Sequence, residues 1–203
     1  MNKTLIKDAL ILFVITAVAG LLLGVVYDVT AEPIARQQQK LKEEAYQAVF
    51  MDAQSFETFD ASNAGAVLES AGIKAEDVTI DEVMTAMKDG KAAGYVMTVT
   101  DHEGYGGDIK LAMGIQTDGT VNGISFLSIS ETAGLGMKAK EAAFYEQFAG
   151  KKVEQFAYTK SGASAENEID ALTGATITTN AVTNAVNAGI CYFQSIEGGS
   201  DDE

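Results

Sequence analysis

Residues 92–128 read AAGYVMTVTDHEGYGGDIKLAMGIQTDGTVNGISFLS, with three runs, at 92–100, 109–115 and 121–128, rich in Val, Ile, Met, Phe and Thr. Side chains of this kind suit a pleated, partly buried surface. The glycine cluster Gly104 to Gly107 separates the first two runs, and Asp118-Gly119 separates the last two. Apolar runs broken by such short turns predict a meander of antiparallel strands. Downstream, residues 138–148 read as one helix and 179–193 as another. In the second, Val182, Val186, Gly189, Ile190 and Phe193 share a face, while Asn180, Thr183, Asn184 and Asn187 decorate the others. Strands followed by helices predict an α+β domain rather than a doubly wound one.

Upstream of the meander the signals are weaker. Residues 55–91 are acidic and rich in small side chains, with turn formers at Asn63, Gly65, Gly72 and Asp89-Gly90, which predicts short elements. Pro33 stands where a helix can begin. Residues 34–50 form a loosely amphipathic pattern through Ile34, Leu41, Ala45, Ala48 and Val49. Before it, residues 9–26 form an uncharged apolar run broken only by Thr16. At 1.5 Å per residue such a helix covers roughly 27 Å, close to the hydrocarbon thickness of a bilayer, with Tyr27 as an interfacial anchor. A cleaved signal peptide is the alternative, with the small residues Val29-Thr30-Ala31 before a cut. The apolar run exceeds the usual signal core of about 7–15 residues, which favours a retained span.

Charge alone leaves the orientation open, because Lys3 and Lys7 precede the span and Arg36, Lys40 and Lys42 follow it. Long C-terminal domains translocate largely regardless of charge, so the expected arrangement has the N-terminus in the cytoplasm. Gly20 and Gly24 form a GxxxG face that admits close approach of another helix. The expected organisation is therefore a cytoplasmic N-terminus and transmembrane helix over 1–28. A juxtamembrane helix and the first part of a soluble domain follow over 29–91, then the main domain over 92–197 and an acidic tail over 198–203.

Composition excludes much chemistry. The chain has 203 residues, enough for one ordinary domain with an appendage. A single cysteine, Cys191, excludes an internal disulfide or a cysteine-cluster metal site, and a single histidine, His102, excludes a multi-histidine centre. Fourteen Lys and Arg against 29 Asp and Glu give a net charge of −15, a surface that repels nucleic-acid phosphates. No dinucleotide, P-loop, zincin or nucleophile-elbow motif is present. Cys191 reads as a small buried residue and His102 as a solvated one, so redox chemistry requires a bound cofactor.

One segment stands apart. Asp170-Ala171-Leu172-Thr173-Gly174-Ala175-Thr176-Ile177-Thr178-Thr179 runs from a polar loop straight into the last helix, clustering four hydroxyls around one glycine. Exposed N–H groups at a helix start and the positive end of its dipole make a seat for phosphate. Thr178 or Thr179 can serve as N-cap, and a plain capped helix behind a glycine turn is the alternative reading.

The pattern Asp170-x-x-Thr173-Gly174-Ala175-Thr176-x-Thr178 resembles the flavinylation motif of FMN-binding domains. Ser130-Glu131-Thr132-Ala133-Gly134-Leu135-Gly136 is similar to the ETPGLG signature of that family, with Ala133 replacing its proline. Gly104-Tyr105-Gly106-Gly107 resembles its glycine-aromatic hairpin. With the single N-terminal span, the whole chain resembles the G-subunit family of Rnf electron-transport complexes. The resemblance implies FMN linked through its phosphate to Thr176 by a separate flavin transferase, with Asp170, Thr173, Gly174, Ala175 and Thr178 in the attachment motif. It places Glu131, Thr132, Leu135 and Gly136 beside the flavin ring, while Tyr105 reads either as a stacking partner of that ring or as an exposed hairpin tyrosine.

It also implies membership of an ion-translocating oxidoreductase that couples ferredoxin and NAD chemistry, with no independent active site in this chain. Other membrane and iron–sulfur subunits, membrane lipid and an extracytoplasmic soluble domain on the cell (inner) membrane complete the expectation. The FMN-carrying C-type component of a sodium-translocating NADH:quinone reductase, or a non-redox single-pass sensor or scaffold, are the alternatives.

Overall fold

The computed structural model describes residues 3–198, so the expected tail over 198–203 lies outside the described residues beyond Gly198. The chain divides into two compact units, Met1–Leu41 and Lys42–Glu203. Helix α1, Lys3–Val49, is one continuous helix with Pro33 inside it. This corrects the expected new start at Pro33. Proline removes one intrahelical hydrogen bond, but its fixed φ is already helical. Good helix formers follow it from Ala35 to Ala45, and extending a helix is cheaper than nucleating another.

In the first unit, α1 is the one helix among the described residues long and apolar enough to cross a membrane, and none of its apolar window is buried by protein. The polar Thr16 hydroxyl donates to the carbonyls of Leu12 and Phe13, both at 3.0 Å. It is thus satisfied without water, as a lipid environment requires.

The second unit is built on five antiparallel strands in sequential order: β1 (Ser55–Phe59), β2 (Val78–Lys88), β3 (Lys91–Asp101), β4 (Ile109–Gln116) and β5 (Val121–Ser128). The expected meander is β3 to β5. The preceding strands extend it, with α2 (Ala64–Ser70) between β1 and β2. Asp89-Gly90 joins β2 to β3 with φ of +51° and +73°, the pair of positive values of a type I′ hairpin turn.

Both faces of the sheet are covered, so β3 is buried along most of its length and lacks simple alternation. On one face Met97, Val99, Leu111, Met113 and Ile115 join a core with Val182, Val186, Ile190 and Phe193 of the last helix, Thr176–Gly198. On the other, Ala86, Val96 and Ala112 pack with Ala45, Tyr46, Val49 and Phe50 from the end of α1 and the residue after it. A Cβ at Gly114 would lie 2.5 Å from the Val49 carbonyl oxygen, so only glycine lets the helix end settle there.

A β-bulge at Asp81 interrupts the β2–β3 register between Ile80 and Glu82. It sets two consecutive carboxylates to work together. Glu82 pairs with Lys42 and accepts the Tyr46 hydroxyl at 2.7 Å. Asp81 pairs with Lys110 at 2.8 Å and accepts the Thr100 hydroxyl at 2.7 Å.

After β5 the expected helix over 138–148 is three short pieces: a 3-10 turn Gly136–Lys140, α3 (Ala142–Tyr145) and a 3-10 turn Glu146–Phe148. Glu141 is extended, with φ −82° and ψ 141°, and breaks the run while its carbonyl accepts the N–H groups of Phe144 and Tyr145. The short parallel pair β6 (Ala157–Thr159) and β7 (Glu168–Asp170) follows, and then α4 (Thr176–Gly198). Asn187 of α4 holds the edge nearby, accepting the Phe156 N–H at 2.8 Å and donating to its carbonyl at 3.0 Å. Cys191 is half-buried against the main core, less enclosed than expected. His102 is exposed and lies 3.1 Å from Asp108 and 3.3 Å from Thr79.

Asp101, at the end of β3, is fully buried. One of its oxygens accepts the Glu103 N–H at 2.8 Å and the other has no hydrogen-bond partner among the described residues. Burial therefore pushes its pKa up from 3.8 to about 6. The folded state holds this proton more tightly than the unfolded chain, so the group's contribution to stability is lost as pH rises through about 6. Asp101→Asn, which retains the acceptor for Glu103, should gain on the wild type by about 1–3 kcal/mol between pH 4.5 and 7.5. Denaturant melts of the full chain in detergent check this; an unchanged difference at the two pH values contradicts it.

Candidate functional site

Three segments wall a cavity of about 490 Å³: the hairpin between β3 and β4, the loop leaving β5, and the lead-in to α4. Two of the walls are the same kind of turn. Thr132 to Leu135 closes with the Leu135 N–H donating to the Thr132 carbonyl at 3.1 Å, and Leu172 to Ala175 closes likewise at 3.0 Å. Gly134 and Gly174, each third in its turn, have φ of +76° and +77°. A type II turn demands a positive φ there. Ala133 holds the second position of its turn, which favours proline without requiring it. The departure from ETPGLG therefore loses preorganisation but preserves the geometry.

The turns press against each other and against α4. A Cβ on Gly174 would lie 3.2 Å from Leu135 Cδ2. One on Gly136 would lie 2.5 Å from Thr178 Oγ1 and 2.8 Å from both Cβ and Oε2 of Glu131. From the hairpin, the Gly106 N–H donates to Glu131 Oε1 at 3.3 Å.

The helix start corrects one expectation. Neither Thr178 nor Thr179 is the N-cap, because α4 begins at Thr176 and the Thr179 N–H donates to the Ala175 carbonyl at 3.0 Å. Thr179 is instead a brace: its hydroxyl accepts the Leu172 N–H at 3.0 Å and donates to the Ala175 carbonyl at 2.9 Å. The physical reason is that the helix starts directly after the glycine turn, so Ala175, which has no side-chain acceptor, takes the cap position and the first-turn N–H groups stay open. The N–H groups of Thr176, Ile177 and Thr178 have no acceptor among the described residues, as the first turn of a helix leaves them. The hydroxyls of Thr132, Thr176 and Thr178 likewise make no hydrogen bond among the described residues.

Most of the residues singled out from the sequence meet here. Thr176, Gly174, Ala175 and Thr178 line one side; Glu131, Thr132, Leu135, Gly136 and Tyr105 line the other parts of the wall. Tyr105 is 70% exposed and Leu135 43% exposed, unusual for large apolar groups in a folded unit. Asp170 and Thr173 do not line the cavity. Asp170 organises the loop before it: its carboxylate accepts the Ala163 N–H at 2.6 Å, and its backbone is clasped by Gln147 at 2.6 and 3.3 Å. Thr173 is exposed in the second turn. Ile177 also lines the cavity and is 51% exposed, though no motif position had pointed to it. The available signal was an isoleucine beside Thr176 that falls off the apolar stripe of α4.

Gly136→Ala tests the tight seam. Its methyl group has to displace Thr178 or Glu131, and we expect a loss of about 1–3 kcal/mol in stability, the usual range for overpacking. Thermal denaturation beside Gly134→Ala, where no atom lies within 4 Å and only φ is unfavourable, separates crowding from turn strain.

Comparison with known proteins gives this cavity a context. Residues 104–190 match the FMN-binding domain family, and residues 1–49 match the RnfG N-terminal region. The chain is 34% identical over 196 residues to the G subunit of the Na(+)-translocating ferredoxin:NAD(+) oxidoreductase complex of Acetobacterium woodii, covering 96% of this chain and 94% of that protein. It is 29% identical to the G subunit of the proton-translocating ferredoxin:NAD(+) oxidoreductase complex of Clostridium ljungdahlii, covering 90% and 88%. In fold it is similar to NqrC of Shewanella oneidensis (TM-score 0.50, 19% identity, 76% and 74% covered). It is similar to the same degree to the C-type component of the Na(+)-translocating NADH-quinone reductase from Parabacteroides distasonis (TM-score 0.51, 19% identity, 78% and 94% covered). With nearly its whole length matched and the cavity lying within the FMN-binding region, the chain belongs to the family of G subunits of Rnf oxidoreductase complexes.

Proposed function

We propose that this protein carries electrons through FMN esterified by its phosphate to Thr176. The observation that carries the reading is the Thr176 hydroxyl: it has no hydrogen bond among the described residues, and it lines the cavity beside unpaired helix N–H groups. A phosphodiester keeps about one negative charge, which helix-start N–H groups bind without a cation. That suits a chain whose single arginine, Arg36, lies outside the cavity. Leu135, Ile177 and Tyr105 supply apolar surface for the ring, and Thr132 and Thr178 supply hydroxyls. Bound there, FMN supplies electron transfer; the residues of the chain hold and orient it.

The remaining parts of the reading rest on the relatives. They are named as members of ferredoxin:NAD(+) oxidoreductase complexes that translocate sodium or protons. On this reading the chain works beside other membrane and iron–sulfur subunits in coupling such redox chemistry to ion translocation. A flavin transferase matures it, since a threonine hydroxyl is a poor nucleophile and no histidine or lysine among the described residues lines the cavity to activate it. The apolar part of α1 anchors it in lipid as a single span, with the folded unit outside the cytoplasm.

Two measurements test this. Co-expression with a flavin transferase should add one FMN phosphoester to the peptide containing Thr176, seen by mass spectrometry and by in-gel flavin fluorescence. Thr176→Val should lose it completely; label persisting on the valine variant overturns the assignment. A reporter enzyme active only outside the cytoplasm, fused after Glu203, should be active, and a silent reporter with an active cytoplasmic counterpart reverses the orientation.

A further inference from the structure

We propose that Glu131 is the fixed charge that sets the reduction potential of the flavin held in this cavity, an inference that rests on the FMN reading above. Glu131 is the only charged side chain among the described residues lining the cavity. It is 9% exposed, and no Lys or Arg pairs with it among the described residues. Its carboxylate is also held in place. Oε1 accepts the Gly106 N–H at 3.3 Å, and a Cβ on Gly104 would lie 3.1 Å from that oxygen. Oε2 would lie 2.8 Å from a Cβ on Gly136. Glycines at both positions let backbone close around the carboxylate.

A charge so placed acts on reduction rather than on binding alone. Uptake of two electrons from reduced one-electron carriers of the complex, with one proton from water, leaves the flavin ring with one more negative charge than its oxidised form. A carboxylate buried in the cavity wall repels that added charge more strongly than one in bulk water. On that reading the helix-start N–H groups would be taken up by the ester phosphate. No cationic side chain in the wall offsets Glu131, so the ring is held harder to reduce and, once reduced, a stronger donor.

The test uses the full chain in detergent, flavinylated by a co-expressed transferase, as wild type, Glu131→Gln, Glu131→Met and Glu131→Asp. Mass spectrometry first scores flavin on each; a wild type without flavin defeats the FMN reading and is distinguishable from failure of this inference. Spectroelectrochemical titration then reads the potential. The neutral Gln and Met variants should shift the oxidised–reduced equilibrium toward the reduced form by tenfold or more, about 30 mV for a two-electron couple. The Asp variant, which keeps the charge, should stay near wild type, whereas a merely structural role would move it as far as Gln. Unchanged or lowered potentials in the neutral variants overturn the inference. So does a pattern in which both neutral variants fold yet stay unlabelled while Asp is labelled, because the carboxylate would then govern attachment instead.

Discussion

The packing of α4 on β3 and β4 is the constraint from which the cavity follows. Val182, Val186, Ile190 and Phe193 are buried against the sheet face that carries Met97, Val99, Leu111 and Met113. Each such side chain stabilises the fold by about 1.5–3 kcal/mol on burial. That fixes the axis of the helix, and an axis fixed in this way also fixes where its first turn must end. The Thr179 hydroxyl then locks the incoming Leu172 backbone to that turn. Three N–H groups are consequently held at the cavity wall by a core that lies well behind them. They need no side chain of their own to be oriented.

The opposite face of the sheet solves a different problem. The end of α1 lies on Ala86, Val96 and Ala112, small side chains that leave room for a helix. The polar network around the Asp81 bulge adds to the apolar contact there. Burial is the largest influence on the Tyr46 phenol and pushes its pKa up, so it stays a neutral donor to Glu82. For Glu82 the cost of burial is outweighed by Lys42 and Tyr46, which hold its carboxyl below the ordinary value. The folded unit's own share of α1 is thereby seated on a sheet face that would otherwise be an exposed apolar surface.

Sequence legibility follows the same physics. Strands β3 to β5 were readable as short apolar and β-branched runs bounded by glycine turns, and the last helix as an apolar stripe at helical spacing. Strand β2 was not, because the Asp81 bulge puts two acids in mid-strand and breaks the alternation. The run at 138–148 has helical composition, yet Glu141 is extended and splits it, a tertiary outcome that local propensity does not carry. At the site, the motif brought Thr176 and the two glycine turns into view. The hydroxyl pattern by itself could not tell Thr176 from Thr179, because the difference lies in which hydroxyl the fold has already used. Asp170 was grouped with the cavity by its place in the motif, while its contacts show it shaping the loop upstream.

The exposure of the cavity rim bears on why a covalent bond would be needed at all. A site that retains a cofactor by contact alone typically buries about 70–90% of its surface. Here Tyr105, Leu135 and Ile177 stand at the rim 70%, 43% and 51% exposed, and no cation is present among the described residues of the wall to grip a phosphate. Such a cavity is suited to a ring that must be reached by electron carriers from outside, and poorly suited to keeping it by affinity. On the proposed reading, one ester bond would separate the two demands. It would make retention independent of buried area, raising the effective concentration of the ring at its cavity as any tether does. The wall, with Glu131 its one charged side chain among the described residues, would then be free to stay open to redox neighbours.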